Sequence, residues 1–282
     1  MENPIPNSVR AVIIGTWIVG LLWLERRRAL RTVQRSKLQR DVRNLVIAAP
    51  AGVVMQAVEM PLALTLAATF ANNRNWGLVG ALHLPTAVSV VAGVLLLDYT
   101  LYWWHFLTHR VPVLWRFHQV HHLDREMDAT TALRFHFGEI TISLAFRALQ
   151  IVVIGPTPLA VAVWQVFLFF CILFHHSNVR LPVAFERVLA RVVVTPRMHG
   201  IHHSVVAQEV NSNWSSGLTI WDWLHSTLQT QPSQEEPTLG VAGFLGPTEV
   251  TAVKALKLPF EVTSNPPDYD GTPVRQPFDS LS

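Results

Sequence analysis

Four long apolar stretches, near residues 9–24, 44–70, 84–104 and 141–174, dominate the chain. A run of about 20 apolar residues is long enough to cross the roughly 30 Å hydrocarbon core of a bilayer as a helix. The last stretch is long enough for two crossings, and Gly155-Pro156-Thr157-Pro158 interrupts it. That cluster forms turns and breaks a single helix, so the stretch reads as a helical hairpin with a short first arm. Five membrane helices are expected, the first marginal in length. Half of the residues are hydrophobic and only 15% are charged, a balance unusual for a water-soluble globule of 282 residues.

The net charge is +3, but the basic residues concentrate at Arg26, Arg27, Arg28, Arg31, Arg35, Lys37, Arg40 and Arg43, directly after the first apolar stretch. This position marks a cytoplasmic flank of a membrane helix, and no nucleic-acid partner is expected. No small-residue cleavage pattern follows residues 11–24, so they read as a retained anchor and not as a signal peptide. With the basic loop in the cytoplasm, alternate crossings bring twelve of the thirteen histidines to the same side, leaving only His83 opposite.

Three patterns carry chemistry: His105-x3-His109, His118-x2-His121-His122 and His199-x2-His202-His203. Residues three and four apart share a helix face, so each pattern aims two or three imidazoles at one point. Imidazole suits iron, zinc, copper or nickel, not magnesium or calcium. Cys171 is the only cysteine and lies in an apolar run, which excludes a thiolate site. Eight histidines exceed the needs of one tetrahedral metal, so two metals are expected. A ferritin-like site would need paired Glu-x-x-His motifs that are missing here, and haem ligation would leave most of the histidines idle.

Asp98-Tyr99-Thr100-Leu101-Tyr102-Trp103-Trp104-His105 with His109-Arg110, and Trp115-Arg116-Phe117-His118 with His121-His122, resemble the front half of the sterol desaturase/fatty acid hydroxylase superfamily. The stretch 127–136, His176-Ser177-Asn178 and Pro196-Arg197-Met198-His199-Gly200-Ile201-His202-His203 continue in the same order. The resemblance spans about residues 90 to 260 and is strongest to bacterial sterol-desaturase-like members. It departs at Phe137, Trp223 and His225-Ser226, where the family commonly has proline, arginine and Phe-Gly.

The resemblance implies an all-α integral membrane bundle whose cytoplasmic-side helical cap carries a histidine-rich dimetal site. The implied cofactors are two iron ions, cycling between Fe2+ and Fe3+, with O2 as cosubstrate. The implied ligands are His105, His109, His118, His121, His122, His199, His202 and His203, with His136 and His176 completing about five per metal. His175 should point to a different helix face from His176 and is left out, as are His83 and His225. No catalytic side chain beyond the ligands is required.

The implied activity is O2-dependent hydroxylation or desaturation of a membrane lipid: a sterol, fatty acyl chain, carotenoid or ether lipid. Hydrogen removal followed by hydroxyl rebound gives an alcohol; loss of a second hydrogen gives an alkene. Electrons would come from a separate ferredoxin, cytochrome b5-type carrier or reductase, since no b5-like haem segment is visible at either end. Residues 1–88 read as membrane anchor, 89–230 as catalytic domain and 231–282 as a polar, proline-rich tail that lies over the cytoplasmic surface or is partly disordered, with the protein in a bacterial inner membrane. A zinc-dependent membrane hydrolase and a non-catalytic histidine-rich metal-binding protein are the alternatives.

Imidazole tautomers need fixing partners. Asp98, Asp124, Asp128, Glu139, Asn178, Asn213 and Asp222 are the candidates. Glu59 and Arg147 are costly inside apolar spans and either pair or reach for the interface. Trp103, Trp104, Trp214, Trp221 and Trp223 line a lipid entrance or anchor at the interface.

Overall fold

The computed structural model describes residues 7–71, 76–246, 248, 250–261, 265–268 and 274–281. Helix α1, Asn7–Arg27, ends on Arg26 and Arg27. Helix α2, Lys37–Val54, passes through Pro50 into a π-turn, Met55–Glu59, and on into α3, Met60–Ala71. Pro61 has no N–H to give the Ala57 carbonyl, and the turn widens just before it, as π-bulges do where the ordinary ladder is interrupted. The short α4, Gly77–Ala81, leads to α5, Thr86–Thr108. Helix α6, Pro112–His122, carries proline at its first position, where the missing N–H costs nothing.

The expected hairpin forms. Helix α7, Phe137–Ile154, stops at Gly155, whose φ of +63° only glycine adopts freely. Helix α8, Pro158–His176, then starts with Thr157 accepting from the Ala160 N–H. Short helices complete the cap: α9, Val183–Leu189; α10, Pro196–His202; α11, Ala207–Val210; α12, Ile220–His225; and α13, Ala252–Glu261. A two-residue parallel ladder pairs β1, Thr227–Leu228, with β2, Val274–Arg275.

Among the described residues four helical runs are long and apolar enough to span a membrane: Lys37–Thr69, Thr86–Thr108, Phe137–Ile154 and Pro158–His176. The expected fifth span is α1, which is helical throughout, although the side chains of its first residues lie outside the described set. The spans pack through Ala63, Ala67, Leu97, Leu101, Ile151, Ile154, Val161 and Trp164. A Cβ on Gly93 would lie 2.9 Å from that of Ala160, so α5 and α8 cross closely because both offer small residues, as membrane helices do.

The termini of these helices sort by side. Trp76 Nε1 donates to the Val152 carbonyl at 2.8 Å, and Gly77 packs on Gly155, which defines one end. At the other, Glu25 Oε1 accepts from Ala129 N and Asn178 N, both at 2.8 Å, Lys37 Nζ reaches Asp128 at 3.1 Å, and Arg31 donates to the Pro196 carbonyl. The basic segment 25–43 therefore meets the segments that follow α6 and α8 and precede α10. Burial alone would raise the Asp124 carboxyl; the Arg134 guanidinium and hydrogen bonds from Thr131 and Asn44 hold it below the usual range. Helix α13 closes this end by packing Ala255 and Leu258 on Ile47, Val120 and Leu123, so part of the expected tail is built into the cap.

Candidate metal centre

The histidines sit at the ends of two spanning helices and on two short helices that pack against them. The last turn of α5 carries His105, with His109 just after it; α6 carries His118, His121 and His122; α8 ends on His176; α10 carries His199 and His202, followed by His203. Their donor atoms fall into two groups: His105, His109, His118, His122 and His202 form one, and His121, His176, His199 and His203 the other. Within each group these atoms lie within 4.8 Å of one another. All nine rings are buried, the most open being His105 at 8% exposure.

Hydrogen bonds fix four of the tautomers. His105 Nδ1 lies 2.8 Å from the Trp214 carbonyl, His202 Nδ1 2.8 Å from that of Ser212, His176 Nδ1 2.7 Å from that of Ile172, and His118 Nδ1 2.9 Å from Glu139 Oε1. Each partner is an acceptor, so each Nδ1 carries the proton and each Nε2 is a bare lone pair. His176 Nε2 is 2.9 Å from His121 Nε2 and 3.0 Å from His199 Nε2, and His118 Nε2 is 3.3 Å from His122 Nε2. Imidazole nitrogens that converge this closely are what a cation collects. His109 has both ring nitrogens buried without hydrogen bonds, and His202 Nε2 and one nitrogen each on His121, His122, His199 and His203 are in the same state. This donor set fits two metal ions of borderline softness.

Burial first, and neighbouring imidazoles second, hold His109, His121, His122, His199 and His203 well below the usual imidazole range. For His202 burial outweighs the Ser212 carbonyl and lowers it to about 3. These depressed values favour the neutral ring, the state that ligates, at these six positions.

His136 does not join them. Its Nε2 donates to the Leu256 carbonyl at 3.0 Å and its Nδ1 accepts from the Gly138 N–H at 2.9 Å, capping α7. Both nitrogens carry hydrogen bonds, and the structure does not bring this expected tenth ligand into either group. His175, expected on another face, packs its ring 4.0 Å from His199 within the same buried cluster, while its donor atoms stay outside both groups. His225 stacks between Tyr99 and Tyr102, away from the centre, and His83 lies in the α4–α5 loop at the opposite end.

Of the expected orienting groups, Glu139 alone hydrogen-bonds a histidine of the two groups. Asp98 accepts from Leu218 N and Trp221 Nε1, Asp222 from Trp214 N and Ser215 N, and Asn178 anchors Arg31. Asn213, in the left-handed region at φ +51°, ties its amide to the Met198 and Gln229 carbonyls. Asp222 and Asn213 thus stabilise the loop whose Ser212 and Trp214 carbonyls orient His202 and His105. The carbonyls were not legible because residue identity does not reveal them; the polar residues Asn213 and Asp222, which hold the loop, were their only trace.

A cavity of about 130 Å3 opens beside the centre, with His105, His118, His121, His176 and His199 on one side and Leu101, Trp104, Phe135, Ile140, Leu168 and Ile172 among its walls. Of the five tryptophans singled out, Trp104 lines it; Trp214 is fully buried, and Trp103 and Trp223 are partly exposed.

Residues 90–227 match the family model described as fatty acid hydroxylase. An ornithine lipid hydroxylase of Rhizobium tropici is 33% identical over 160 residues, 56% of this chain and 47% of that protein. An alkylglycerol monooxygenase of Xenopus tropicalis is 30% identical over 144 residues, 51% of this chain and 31% of that protein. A cholesterol 25-hydroxylase of Mus musculus is 29% identical over 148 residues, 52% and 48% respectively. The chain thus spans about half the length, or less, of these relatives. No solved structure matches it.

Proposed function

We propose, from the premise that residues 90–227 belong to the fatty acid hydroxylase family, that this membrane protein is an oxidoreductase that inserts oxygen from O2 into a C–H bond of a lipid. The observation that carries this reading is the pair of imidazole groups, nine rings with four tautomers fixed to leave Nε2 bare. In this reading His105, His109, His118, His122 and His202 hold one iron, and His121, His176, His199 and His203 the other. Iron bound there, reduced by two electrons and supplied with O2, provides an oxidant strong enough for an unactivated carbon.

The chain's own contribution is placement. The Trp214, Ser212 and Ile172 carbonyls and the Glu139 carboxylate keep four imidazoles in the ligating tautomer and orientation. Leu101, Trp104, Phe135, Ile140, Leu168 and Ile172 give the substrate an apolar bed against the histidines and keep bulk water away from the reacting carbon. The basic segment 26–43 lies on the histidine side, which supports a cytoplasmic centre served by a separate electron carrier such as a ferredoxin or b5-type protein.

The test is oxygen-18 labelling. Iron-reconstituted protein, given a chemical or ferredoxin-type reductant, O2 labelled with 18O and a total membrane-lipid extract, should yield a lipid alcohol carrying the label. Lipid products without label, or turnover supported by zinc in the absence of O2, would overturn the reading.

A further inference from the structure

The cavity beside the histidines does not close on apolar side chains. Its lining also includes Glu59 and Arg147, both within membrane-spanning runs. Arg147 lies eight residues beyond Glu139 on α7, which at about 1.5 Å per residue places it roughly 12 Å deeper. Arg147 Nε is 3.3 Å from Glu59 Oε1, its Nη1 donates to Gln150 Oε1 at 2.8 Å, and its guanidinium lies 4.8 Å from the Trp164 ring centre. Glu59 Oε2 is buried with no hydrogen-bond partner among the described residues.

Joining α3 to α7 does not require charge at this depth, because apolar residues of similar size hold helices together at least as well. An ion pair kept in hydrocarbon, with one carboxylate oxygen left over and a cavity beside it, calls for a ligand. The free atom is an acceptor, so the ligand must donate. The pair is neutral in itself: an anionic group would compete with Glu59 for Arg147 and leave a net negative charge on the pair, and an ammonium would leave a net positive one beside the guanidinium. A hydroxyl avoids both costs, donating to Glu59 Oε2 and accepting from Arg147.

We infer that Glu59 and Arg147 receive the hydroxyl group of a neutral lipid alcohol, and that the carbon to be oxidised lies about 12 Å from that hydroxyl along the substrate. This names the substrate class of the same cavity and rests on the lipid-oxidising reading given above.

Binding to purified, iron-free protein in detergent tests it without turnover. The probes are 1-hexadecanol and cholesterol, each against its anionic counterpart, hexadecanoate and cholesterol sulfate. At least one alcohol should bind about tenfold tighter than its counterpart, the value of one charge-assisted hydrogen bond. Glu59→Gln leaves Arg147 uncompensated and should reverse the order in favour of the anion. The neutral double variant Glu59→Gln/Arg147→Gln should bind alcohol and anion alike, and serves alone if Glu59→Gln fails to fold. Neither alcohol exceeding its anion in the wild type, an unchanged order in Glu59→Gln, or a preference retained in the double variant would overturn the inference. Loss of oxygen-18 insertion with the alcohol preference intact would instead count only against the oxygenase reading.

Discussion

His118 Nδ1 lies 2.9 Å from Glu139 Oε1, so a carboxylate on the first turn of α7 sets the proton position of a ligand candidate on α6. Both groups are buried. Because this is the only side-chain carboxylate hydrogen-bonded to either histidine group among the described residues, Glu139→Ala should lower metal affinity about 10- to 100-fold. Glu139→Gln, which can still accept through its amide oxygen, should lie between. Chelator competition on the purified variants reads the order.

His136 and His203 make opposite predictions. His203→Ala removes a donor from the second group and should leave about one tightly held metal per chain. His136→Ala should retain two, while losing the cap on α7 and the bond to Leu256, at about 1–2 kcal/mol of stability. Elemental analysis beside thermal unfolding separates the two; a metal lost in His136→Ala would restore it as a ligand.

Acid should destabilise the metal-free protein. The unfolded chain protonates its histidines near pH 6.5, whereas folded His202 resists until about 3 and its neighbours are likewise depressed. Across that window the unfolded state binds more protons, so stability rises with pH and is lost as pH falls, by on the order of 1 kcal/mol per pH unit per histidine. The unfolding midpoint of iron-free protein should drop between pH 7 and pH 5, and His202→Ala should flatten the slope.

Sidedness has a direct check. In a Cys171→Ser background, cysteines replacing the exposed Arg28 and Glu235 should label from one side of the membrane and one replacing Leu82 from the other. Arg28 and Glu235 labelling from opposite sides would separate the basic segment from the cap.

Spacing alone made the three histidine clusters legible, because helical periodicity dictates which rings share a face. The break at Gly155-Pro156-Thr157-Pro158 was equally plain, since glycine and proline act locally. The placement of His136 was not legible for the converse reason: it depends on Leu256, 120 residues away, and on the N–H of Gly138, neither visible as pattern. Asp98 and Asp222 have the chemistry of ligand-orienting groups but are spent on loop backbone, while main-chain carbonyls do the orienting. The sequence left Glu59 and Arg147 poised between pairing and reaching for the interface; only the π-turn before Pro61 and the packing of α3 on α7 decide for pairing.

The two histidine groups are unequal in the order the ribosome makes them. One draws His105, His109, His118 and His122 from a single early stretch and lacks only His202; the other has His121 early and must wait for His176, His199 and His203. The loop that orients His105 and His202 is tied to Gln229. The first half is therefore complete only once synthesis has passed that residue and the second only once it has passed His203, by which time the spanning helices have already been made. Under the proposed reading metal delivery would be a maturation step on an inserted chain, and a nascent protein stalled before residue 199 would present a four-imidazole half-site able to capture the wrong ion.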